Sequence, residues 1–201
     1  MTEAAVIAAG YLLGSMPFGY WVVRAAKGVD IRTVGSGNIG ASNVWRTYGK
    51  GYGLPIVVLD VAKGFVPALV GTGLAGELVG VLAGGAAMLG HWRPLFLGFQ
   101  RGGKMVATAG GTFFGVAPLF GLVGLGLWVL AFLATRYASV ASIATGLLLP
   151  FVALLLGQPW PVVVFAAVAG VAVVVLHRAN IARLRAGTET RFRLRRRTAA
   201  G

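Results

Sequence analysis

The stretch from Met105 to Thr135, MVATAGGTFFGVAPLFGLVGLGLWVLAFLAT, decides the fold of this 201-residue chain. It is apolar throughout. It is longer than the roughly 20 residues that one helix needs to cross a bilayer, yet short for two crossings. Whether it forms one helix or two changes the side of the membrane on which every later segment lies. The charged residues that flank it resolve the choice.

The distribution of Lys and Arg along the chain favours two helices in the central stretch. Five further apolar stretches have the length of a span: 4–23, 52–71, 74–90, 139–157 and 159–176. Dividing the central stretch into 105–118 and 119–135 gives seven spans. With the N-terminus outside, the segments on the cytoplasmic side are then all basic: 24–51, 91–104, 136–138 and 177–201. They hold every Lys and Arg except Lys63, which lies inside the second span.

A single helix in the central stretch would break this pattern. It would move Arg136 and the arginine-rich tail to the other side of the membrane, against the positive-inside rule. The sequence therefore predicts an all-α polytopic membrane protein with seven transmembrane helices, an outside N-terminus and a cytoplasmic C-terminus. A tight pair of short helices should turn near Pro118.

The composition agrees with a chain whose solvent is partly lipid. It is 57% hydrophobic and 11% charged, with a mean hydropathy of +0.82, whereas a soluble domain is about a quarter charged. At this length we expect one membrane domain, residues 1–190, followed by a basic cytoplasmic tail, 191–201. The first 23 residues lack a positive n-region and a cleavage site, so we expect them to remain as a span.

The net charge of +13 indicates the kind of partner. In a soluble protein such an excess would suggest nucleic acid, but the apolar background favours anionic lipid headgroups and phosphorylated substrates. We therefore expect membrane lipids and no nucleic acid as partners. The chain has no cysteine, which excludes disulfides and thiolate nucleophiles. Two His and five scattered acids leave no expected metal or cofactor site.

The most informative polar segment is Gly35–Gly40, Gly-Ser-Gly-Asn-Ile-Gly, in the first cytoplasmic loop. Its glycines permit positive φ and close approach to a ligand, and successive N–H groups there form an anion-binding nest. A helix that starts near Ala41 would add its dipole, and Arg46 would reach the same phosphate. An ordinary turn between spans is the alternative. A Walker A loop is excluded because no Gly-Lys-Ser/Thr follows.

Further polar residues fall on the same side of the membrane. Lys104 opens a span, where its ammonium either binds a phosphate or snorkels to the interface. His91 beside Trp92 is typical of an interfacial pair, with a catalytic role as the alternative. Ser139 and Ser142 either cap the next helix or bond a substrate, and capping is the default interpretation.

The last polar segment begins where the final span ends. His177, Asn180 and Arg183 share one helical face and form either a polar cluster or part of a catalytic site. Asp60 and Lys63 are one turn apart inside the second span, where mutual neutralisation is the simplest explanation and substrate contact the alternative. The convergence of these segments indicates one membrane-embedded site that takes an anionic substrate from the cytosol.

At these motifs the sequence resembles the acyl-phosphate:glycerol-3-phosphate acyltransferases, the PlsY family of bacterial membranes. The resemblance covers nearly the whole chain and rests on these segments: Gly10–Gly19, Asp30–Arg32, Gly35–Asn43, Leu59–Asp60 with Lys63–Gly64, Gly90–His91, Arg101–Lys104 with Val106–Thr108, Ser139–Ser142, and His177–Ile181 with Arg183–Leu184 and Gly187–Glu189. Departures are few. Arg101 and Met105 stand where the family usually has Lys and Gly, and Ser42 stands where it usually has Thr. Met105 removes a flexible glycine beside Lys104.

The resemblance implies a seven-helix enzyme of the bacterial cytoplasmic (inner) membrane, with its active site at the cytoplasmic face. It implies acyl transfer from acyl phosphate to the sn-1 hydroxyl of glycerol-3-phosphate, giving lysophosphatidic acid, without direct use of acyl-CoA or acyl carrier protein. The soluble enzyme that makes acyl phosphate is a further expected partner. Catalytic roles are implied for His177, Lys104 and Ser36. The implied substrate-binding residues are Gly35, Ser36, Gly37, Asn38, Ile39, Gly40, Arg46, Lys104, Ser142, His177 and Asn180.

Several mechanistic alternatives stay open at this stage. Phosphate already leaves well, so the protein must chiefly hold two anions together, orient the hydroxyl and stabilise developing charge. The base is either His177 or a phosphate oxygen of the substrate. A Ser36 acyl-enzyme stands beside direct transfer, although no base adjoins Ser36 in sequence. A small transporter or flippase would use the same cradle without chemistry, but the chain has no internal repeat.

Overall fold

The computed structural model describes residues 2–192, and this part of the chain contains helices and no strand. The nine α-helices within it are α1 (Thr2–Gly14), α2 (Phe18–Lys27), α3 (Ala41–Tyr48), α4 (Lys50–Trp92), α5 (Val106–Val116), α6 (Pro118–Thr135), α7 (Ala138–Leu155), α8 (Trp160–Leu176) and α9 (Arg178–Arg185). Two short 3-10 turns lie at Ile31–Thr33 and Leu95–Leu97. The predicted all-α class is confirmed.

Four helical stretches are long and apolar enough to cross a membrane: Thr2–Lys27, Lys50–Leu97, Pro118–Thr135 and Ala138–Leu155. A fifth is added if α8 and α9, which meet at 55°, form one broken span. Helix α5 has 11 residues and is shorter than a span. This number is below the seven spans predicted, because α4 combines two predicted spans and α5 is too short to count as one.

Helix α4 consists of two arms. Ala75 and Gly76 inside it have non-helical backbone angles, with φ of −150° and +81°. A side chain at Gly71 would meet the backbone of Val79 and Gly80, so the chain folds back at this break. A straight helix of 43 residues would measure about 65 Å, about twice the thickness of a bilayer core. The break lies just beyond the boundary between the predicted spans 52–71 and 74–90.

The decisive central stretch forms two helices. Helix α5 ends at Val116 and α6 begins at Pro118, with Ala117 between them at φ −142° and ψ 82°. Proline suits the first turn of a helix because the N–H that it lacks has no intrahelical acceptor there. Phe113 of α5 and Phe120 of α6 pack edge to face, with ring centroids 5.3 Å apart. The predicted turn near Pro118 is confirmed.

The predicted first span, 4–23, is interrupted. Helix α1 ends at Gly14 and α2 begins at Phe18, with Pro17 at the N-cap position of α2. Gly14 packs so closely on α4 that a Cβ there would collide with the backbone of Ala87. Small residues allow this kind of close approach between helices in lipid.

The central element is α4, which packs against α1, α3 and α5, while α7 packs between α6 and α8. Large apolar side chains on the outer surface, such as Leu119 and Leu155, are mostly exposed, as expected where the neighbour is lipid. The polar loops gather at one end of this bundle, around α3, α9 and the loop from Arg93 to Met105.

The predicted tail begins in contact with the helical body. The N–H of Phe192 donates to the Arg136 carbonyl over 2.8 Å, and Nε of Arg191 donates to the Thr135 carbonyl over 3.1 Å. The first two residues of the predicted tail, Arg191 and Phe192, therefore contact the turn between α6 and α7. Residues 193–201, the rest of the predicted tail, lie outside the described residues.

Candidate active site

The first polar loop is folded around the side chain of Asn43, which lies in the first turn of α3. Its Oδ1 accepts from the Ser36 N–H over 2.9 Å, and its Nδ2 donates to the carbonyls of Val34 and Asn38 over 3.0 and 2.9 Å. This buried amide thus takes over hydrogen bonds that the irregular backbone cannot make with itself. Asn43 was not predicted as a site residue, although it falls inside the motif Gly35–Asn43.

The backbone of this loop corrects the expected anion nest. Gly35 and Gly37 have the predicted positive φ, 61° and 69°. However, the N–H groups of Ser36, Gly37 and Gly40 donate to protein acceptors within the loop and α3. They are used to fold the loop, so a phosphate here would rely more on side chains. The predicted helix start at Ala41 is confirmed.

A cavity of about 300 Å³, which we call the amphipathic cavity, lies between the loops and helices α5 to α8. Its polar wall contains eight of the predicted substrate-binding residues: Ser36, Asn38, Gly40, Arg46, Lys104, Ser142, His177 and Asn180. The opposite wall is formed by apolar side chains of α5 to α8, among them Phe113, Leu125, Leu149 and Val173. One cavity therefore combines a cluster of polar groups with an apolar interior.

A second cavity of about 340 Å³, the polar vestibule, adjoins the first. It is lined by Gly35, Thr47, Arg183 and Thr190 together with four residues that also line the amphipathic cavity: Ser36, Asn43, Arg46 and Glu189. Two of the predicted residues line neither cavity. Gly37 is half-buried in the loop, and Ile39 is buried in an apolar cluster beneath it. Their contribution is to the loop fold.

A chain of hydrogen bonds joins the cation of the second loop to the C-terminal segment. Lys104 Nζ donates to Asn180 Oδ1. Asn180 Nδ2 donates to Glu189 Oε1 over 2.7 Å, and Ser139 Oγ donates to the same oxygen over 2.9 Å. Arg183 Nε donates to Glu189 Oε2 over 2.7 Å. The buried carboxylate of Glu189 thus holds three polar side chains of the site.

Glu189 and Arg183 are not among the predicted substrate-binding residues, although the sequence places Arg183 on one helical face with His177 and Asn180. The available signal was charge, since Glu189 is the single acid in the basic C-terminal segment 177–201. Hydrogen bonds from Asn180, Arg183 and Ser139 keep the pKa of Glu189 below its ordinary value, although burial opposes ionisation. The carboxylate is therefore charged at neutral pH.

Burial also changes the pKa values of the cations of the site. It lowers the pKa of Lys104 to about 8, and the charge of Arg183 acts in the same direction. Burial likewise lowers the pKa of Arg46. Both groups are cations at neutral pH, held where desolvation strengthens their attraction for an anion.

His177 follows the last residue of α8 and faces the amphipathic cavity. Its Nδ1 lies 2.7 Å from the carbonyl oxygen of Val173. Because a carbonyl only accepts, Nδ1 carries the proton and Nε2 is the acceptor nitrogen. Burial, followed by the charge of Lys104, lowers the pKa of His177 to about 4, so the imidazole is neutral. The neutral imidazole presents Nε2 as a free acceptor, but a pKa of about 4 makes it a weak base at neutral pH.

The serines of α7 do not cap it, which corrects the default interpretation. Tyr137 occupies the N-cap position without a side-chain bond. Ser142 Oγ donates to the Ala138 carbonyl over 2.7 Å and accepts from Trp128 Nε1 over 3.1 Å. Ser139 bonds to Glu189. Ser142 lines the amphipathic cavity from inside the helix, as the substrate-binding interpretation requires.

The buried charges of α4 pair as predicted. Lys63 Nζ lies 2.8 Å from Asp60 Oδ1, and both side chains are buried. The interfacial interpretation of His91 was wrong, because His91 is buried, with Nδ1 3.7 Å from the same Asp60 oxygen. A side chain at Gly103 would collide with the His91 ring. Asp60 and His91 reach the wall of the amphipathic cavity, behind the loop that carries Lys104.

A cavity that joins half-buried cations and a neutral imidazole to an apolar interior suits an enzyme that attaches a water-soluble anion to a fatty chain. The fold and the cavity thus define an integral membrane enzyme of lipid synthesis. The chain belongs to the glycerol-3-phosphate acyltransferase family, whose model matches residues 4–187.

Individual relatives agree over nearly the full length. The chain is 44% identical over 190 residues to a glycerol-3-phosphate acyltransferase of Desulforudis audaxviator, covering 94% of this chain and 96% of that relative. The crystal structure of PlsY, an integral membrane glycerol 3-phosphate acyltransferase, in its glycerol 3-phosphate form is similar with a TM-score of 0.91 at 42% identity, covering 96% of each chain. Its lysophosphatidic acid form has a TM-score of 0.88 at 41% identity over the same shares.

Proposed function

We propose that this glycerol-3-phosphate acyltransferase takes its acyl group from acyl phosphate and attaches it to the sn-1 hydroxyl of glycerol-3-phosphate. The products are lysophosphatidic acid and phosphate. The observation that carries the proposal is the shared wall of the two cavities, formed by Ser36, Asn43, Arg46 and Glu189. At this wall, glycerol-3-phosphate bound in the vestibule as the acyl acceptor would lie beside an acyl chain bound in the amphipathic cavity. The PlsY neighbour in its glycerol 3-phosphate and lysophosphatidic acid forms supports this assignment.

The proposed topology has seven spans, an outside N-terminus and a cytoplasmic C-terminus, in the bacterial inner membrane. Residues 1–190 form its single domain, and the active site opens to the cytoplasm. The distribution of Lys and Arg supports this arrangement. The fold-back at Ala75 and Gly76 supports it as well, because it divides α4 into two arms, residues 50–74 and 77–92, that pack against each other. In this arrangement the short α5 crosses the membrane together with its flanking residues.

Each polar group of the site takes a part in holding two anions. Arg46 and Arg183 in the vestibule bind the phosphate of glycerol-3-phosphate, and Ser36 bonds to the same substrate. Lys104 binds the phosphate of the donor and stabilises its charge as it leaves. The acyl chain occupies the apolar interior formed by α5 to α8. Holding both anions in one orientation removes most of the entropic barrier to reaction.

The proposed chemistry is direct transfer. The sn-1 hydroxyl oxygen attacks the carbonyl carbon of acyl phosphate, and the bond from that carbon to the phosphate oxygen breaks. The hydroxyl proton passes to His177 Nε2, and a phosphate oxygen of the substrate is the alternative acceptor. A Ser36 acyl-enzyme is the second route. Incubation with radiolabelled palmitoyl phosphate alone, followed by denaturation and removal of free donor, separates the two, because direct transfer leaves no labelled acyl group on the protein.

The donor can be tested in detergent micelles with radiolabelled glycerol-3-phosphate. Palmitoyl phosphate should support formation of lysophosphatidic acid, and palmitoyl-CoA should not. The His-x4-Asp pair that activates a hydroxyl against a thioester is absent, since Phe96 and Ala182 stand five residues after His91 and His177. Comparable rates with both donors would refute the proposed donor. Absence of product with every donor would refute the acyl transfer itself and favour a transport role.

A further inference from the structure

The segment that follows α9 crosses the cytoplasmic end of the molecule and is fixed at both ends. At one end Glu189 is held by Arg183 and Asn180. At the other end the Phe192 N–H donates to the Arg136 carbonyl at the turn between α6 and α7. The segment 189–192 thus passes over the polar vestibule, whose wall includes Glu189 and Thr190.

The Phe192 ring occupies a defined place between three elements. Its centroid lies 5.3 Å from that of Phe132 on α6 and 6.3 Å from that of Trp45 on α3, both in edge-to-face geometry. The guanidinium carbon of Arg46 lies 5.4 Å from the same centroid. A cation at this distance from an aromatic ring is attracted by its quadrupole.

Arg46 is held by this segment on a second side. Its Nη1 donates to the Thr190 carbonyl over 3.4 Å. Within residues 2–192, no carboxylate oxygen lies within 4.0 Å of Arg46. The guanidinium is therefore oriented by a ring and a carbonyl, neither of which neutralises its charge. An orienting group of this kind leaves the cation available to an anion.

We propose that Phe192 is a positioning residue for Arg46, and that it sets the guanidinium in the shared wall of the two cavities to receive the phosphate of glycerol-3-phosphate. An arginine side chain otherwise loses considerable rotamer freedom on binding, and prior ordering reduces that cost. This role rests on the proposed function. It predicts an effect on the binding of glycerol-3-phosphate that is separate from the binding of the acyl donor.

The test compares Phe192→Ala, Phe192→Leu and Phe192→Tyr in the full-length protein. We expect Phe192→Ala to raise the KM for glycerol-3-phosphate about five- to tenfold, with kcat and the KM for palmitoyl phosphate changed less than twofold. Phe192→Tyr, which keeps the ring, should restore the KM, and Phe192→Leu should not. The matched control is Phe151→Ala, since Phe151 is 65% exposed on the outer face of α7. A uniform fall in kcat for all Phe192 variants would overturn the proposal.

A double-mutant cycle shows whether Phe192 acts through Arg46. In an Arg46→Lys background, Phe192→Ala should change the KM for glycerol-3-phosphate by less than twofold. The same five- to tenfold change in both backgrounds would overturn the proposal. Equilibrium binding of radiolabelled glycerol-3-phosphate is measured for each variant in parallel. If the wild-type protein shows no turnover, the proposed function fails, and the cycle of binding constants still tests the role of Phe192.

Discussion

Asn180 Nδ2 lies 2.7 Å from Glu189 Oε1, and this contact determines which way the Asn180 amide faces. An ionised carboxylate only accepts hydrogen bonds, so the NH2 group must point to Glu189 and the amide oxygen must point away. That oxygen accepts from Lys104. The negative charge of Glu189 is thereby relayed, through one amide, to the cation that is proposed to bind the donor phosphate.

Glu189→Gln should uncouple this relay. The new amide can still accept from Asn180 or from Arg183, but its NH2 group would face a second donor at one of these positions. We expect kcat/KM to fall about ten- to a hundredfold, because removing a charge-assisted contact costs about 1.5–3 kcal/mol. Thermal unfolding in detergent should also occur at a lower temperature. The control is Glu77→Gln, an exposed acid in α4 that should behave as wild type. Equal effects of the two substitutions would contradict the relay.

Alanine substitutions should separate the site from the surface charges. Lys104→Ala, Arg46→Ala and His177→Ala are each expected to lower kcat/KM more than tenfold, because each removes a polar group from the amphipathic cavity. The matched control is Arg101→Ala, since Arg101 is exposed three residues before Lys104. Arg195→Ala in the tail should also leave kcat/KM unchanged. Arg195 lies outside the described residues. Steady-state kinetics with palmitoyl phosphate provide the measurement.

Activity should fall as the pH rises through about 8, because burial lowers the pKa of Lys104 to that value. Deprotonation removes the cation that is proposed to bind the donor phosphate.

Stability should change in the opposite direction. Between about 8 and the ordinary value of 10.5, the unfolded chain binds more protons at this group, so its contribution to stability increases with pH.

The pH profile of Lys104→Arg provides the control, because a guanidinium stays protonated over this range. In this variant the alkaline fall in kcat/KM should move to higher pH. Thermal unfolding measured at each pH shows whether the wild-type loss of activity precedes unfolding. An unchanged alkaline limb in Lys104→Arg would assign the titration to another group.

The all-helical class and much of the polar lining of the amphipathic cavity could be predicted because local signals were strong. The turn at Pro118 followed from the length of an apolar stretch and the side on which Arg136 had to lie. The polar lining of the amphipathic cavity followed from glycine-rich and basic segments that the charge pattern assigns to one side of the membrane. The sequence assigns Ile39 to the site only because it stands inside such a segment, and its apolar side chain packs beneath the loop instead.

The remaining features depend on contacts between distant segments. Ser139 and Glu189 are 50 residues apart, and no local pattern joins them. The sequence predicts an interfacial His91 because Trp92 follows it, whereas the fold buries His91 against Asp60 and Gly103. Gly76, at which α4 breaks, is one of 32 glycines in the chain. Its positive φ follows from packing between the two arms of α4.

Met105→Gly should lower stability although it supplies the residue usual in the family. Met105 has a left-handed φ of 68°, a conformation that costs a non-glycine residue about 1–2 kcal/mol. Its side chain is also buried in the apolar core, and loss of a buried Met side chain costs about 2–5 kcal/mol. The packing loss exceeds the relief of strain, so the unfolding temperature should fall. Met105→Leu should stay close to wild type, and a higher unfolding temperature for Met105→Gly would show that strain dominates.

The topology can be tested with single cysteines, because the natural chain has none to interfere. Glu77 and Gln100 are exposed and flank the second arm of α4 at its two ends, so the seven-span arrangement places them on opposite sides of the membrane. In intact spheroplasts an impermeant maleimide should label Glu3→Cys and Glu77→Cys. Gln100→Cys and Thr188→Cys should react only after permeabilisation. Each variant must retain activity, and the cysteine-free protein gives the background. Labelling of Thr188→Cys from the outside, or of Glu77→Cys and Gln100→Cys from the same side, would contradict the arrangement.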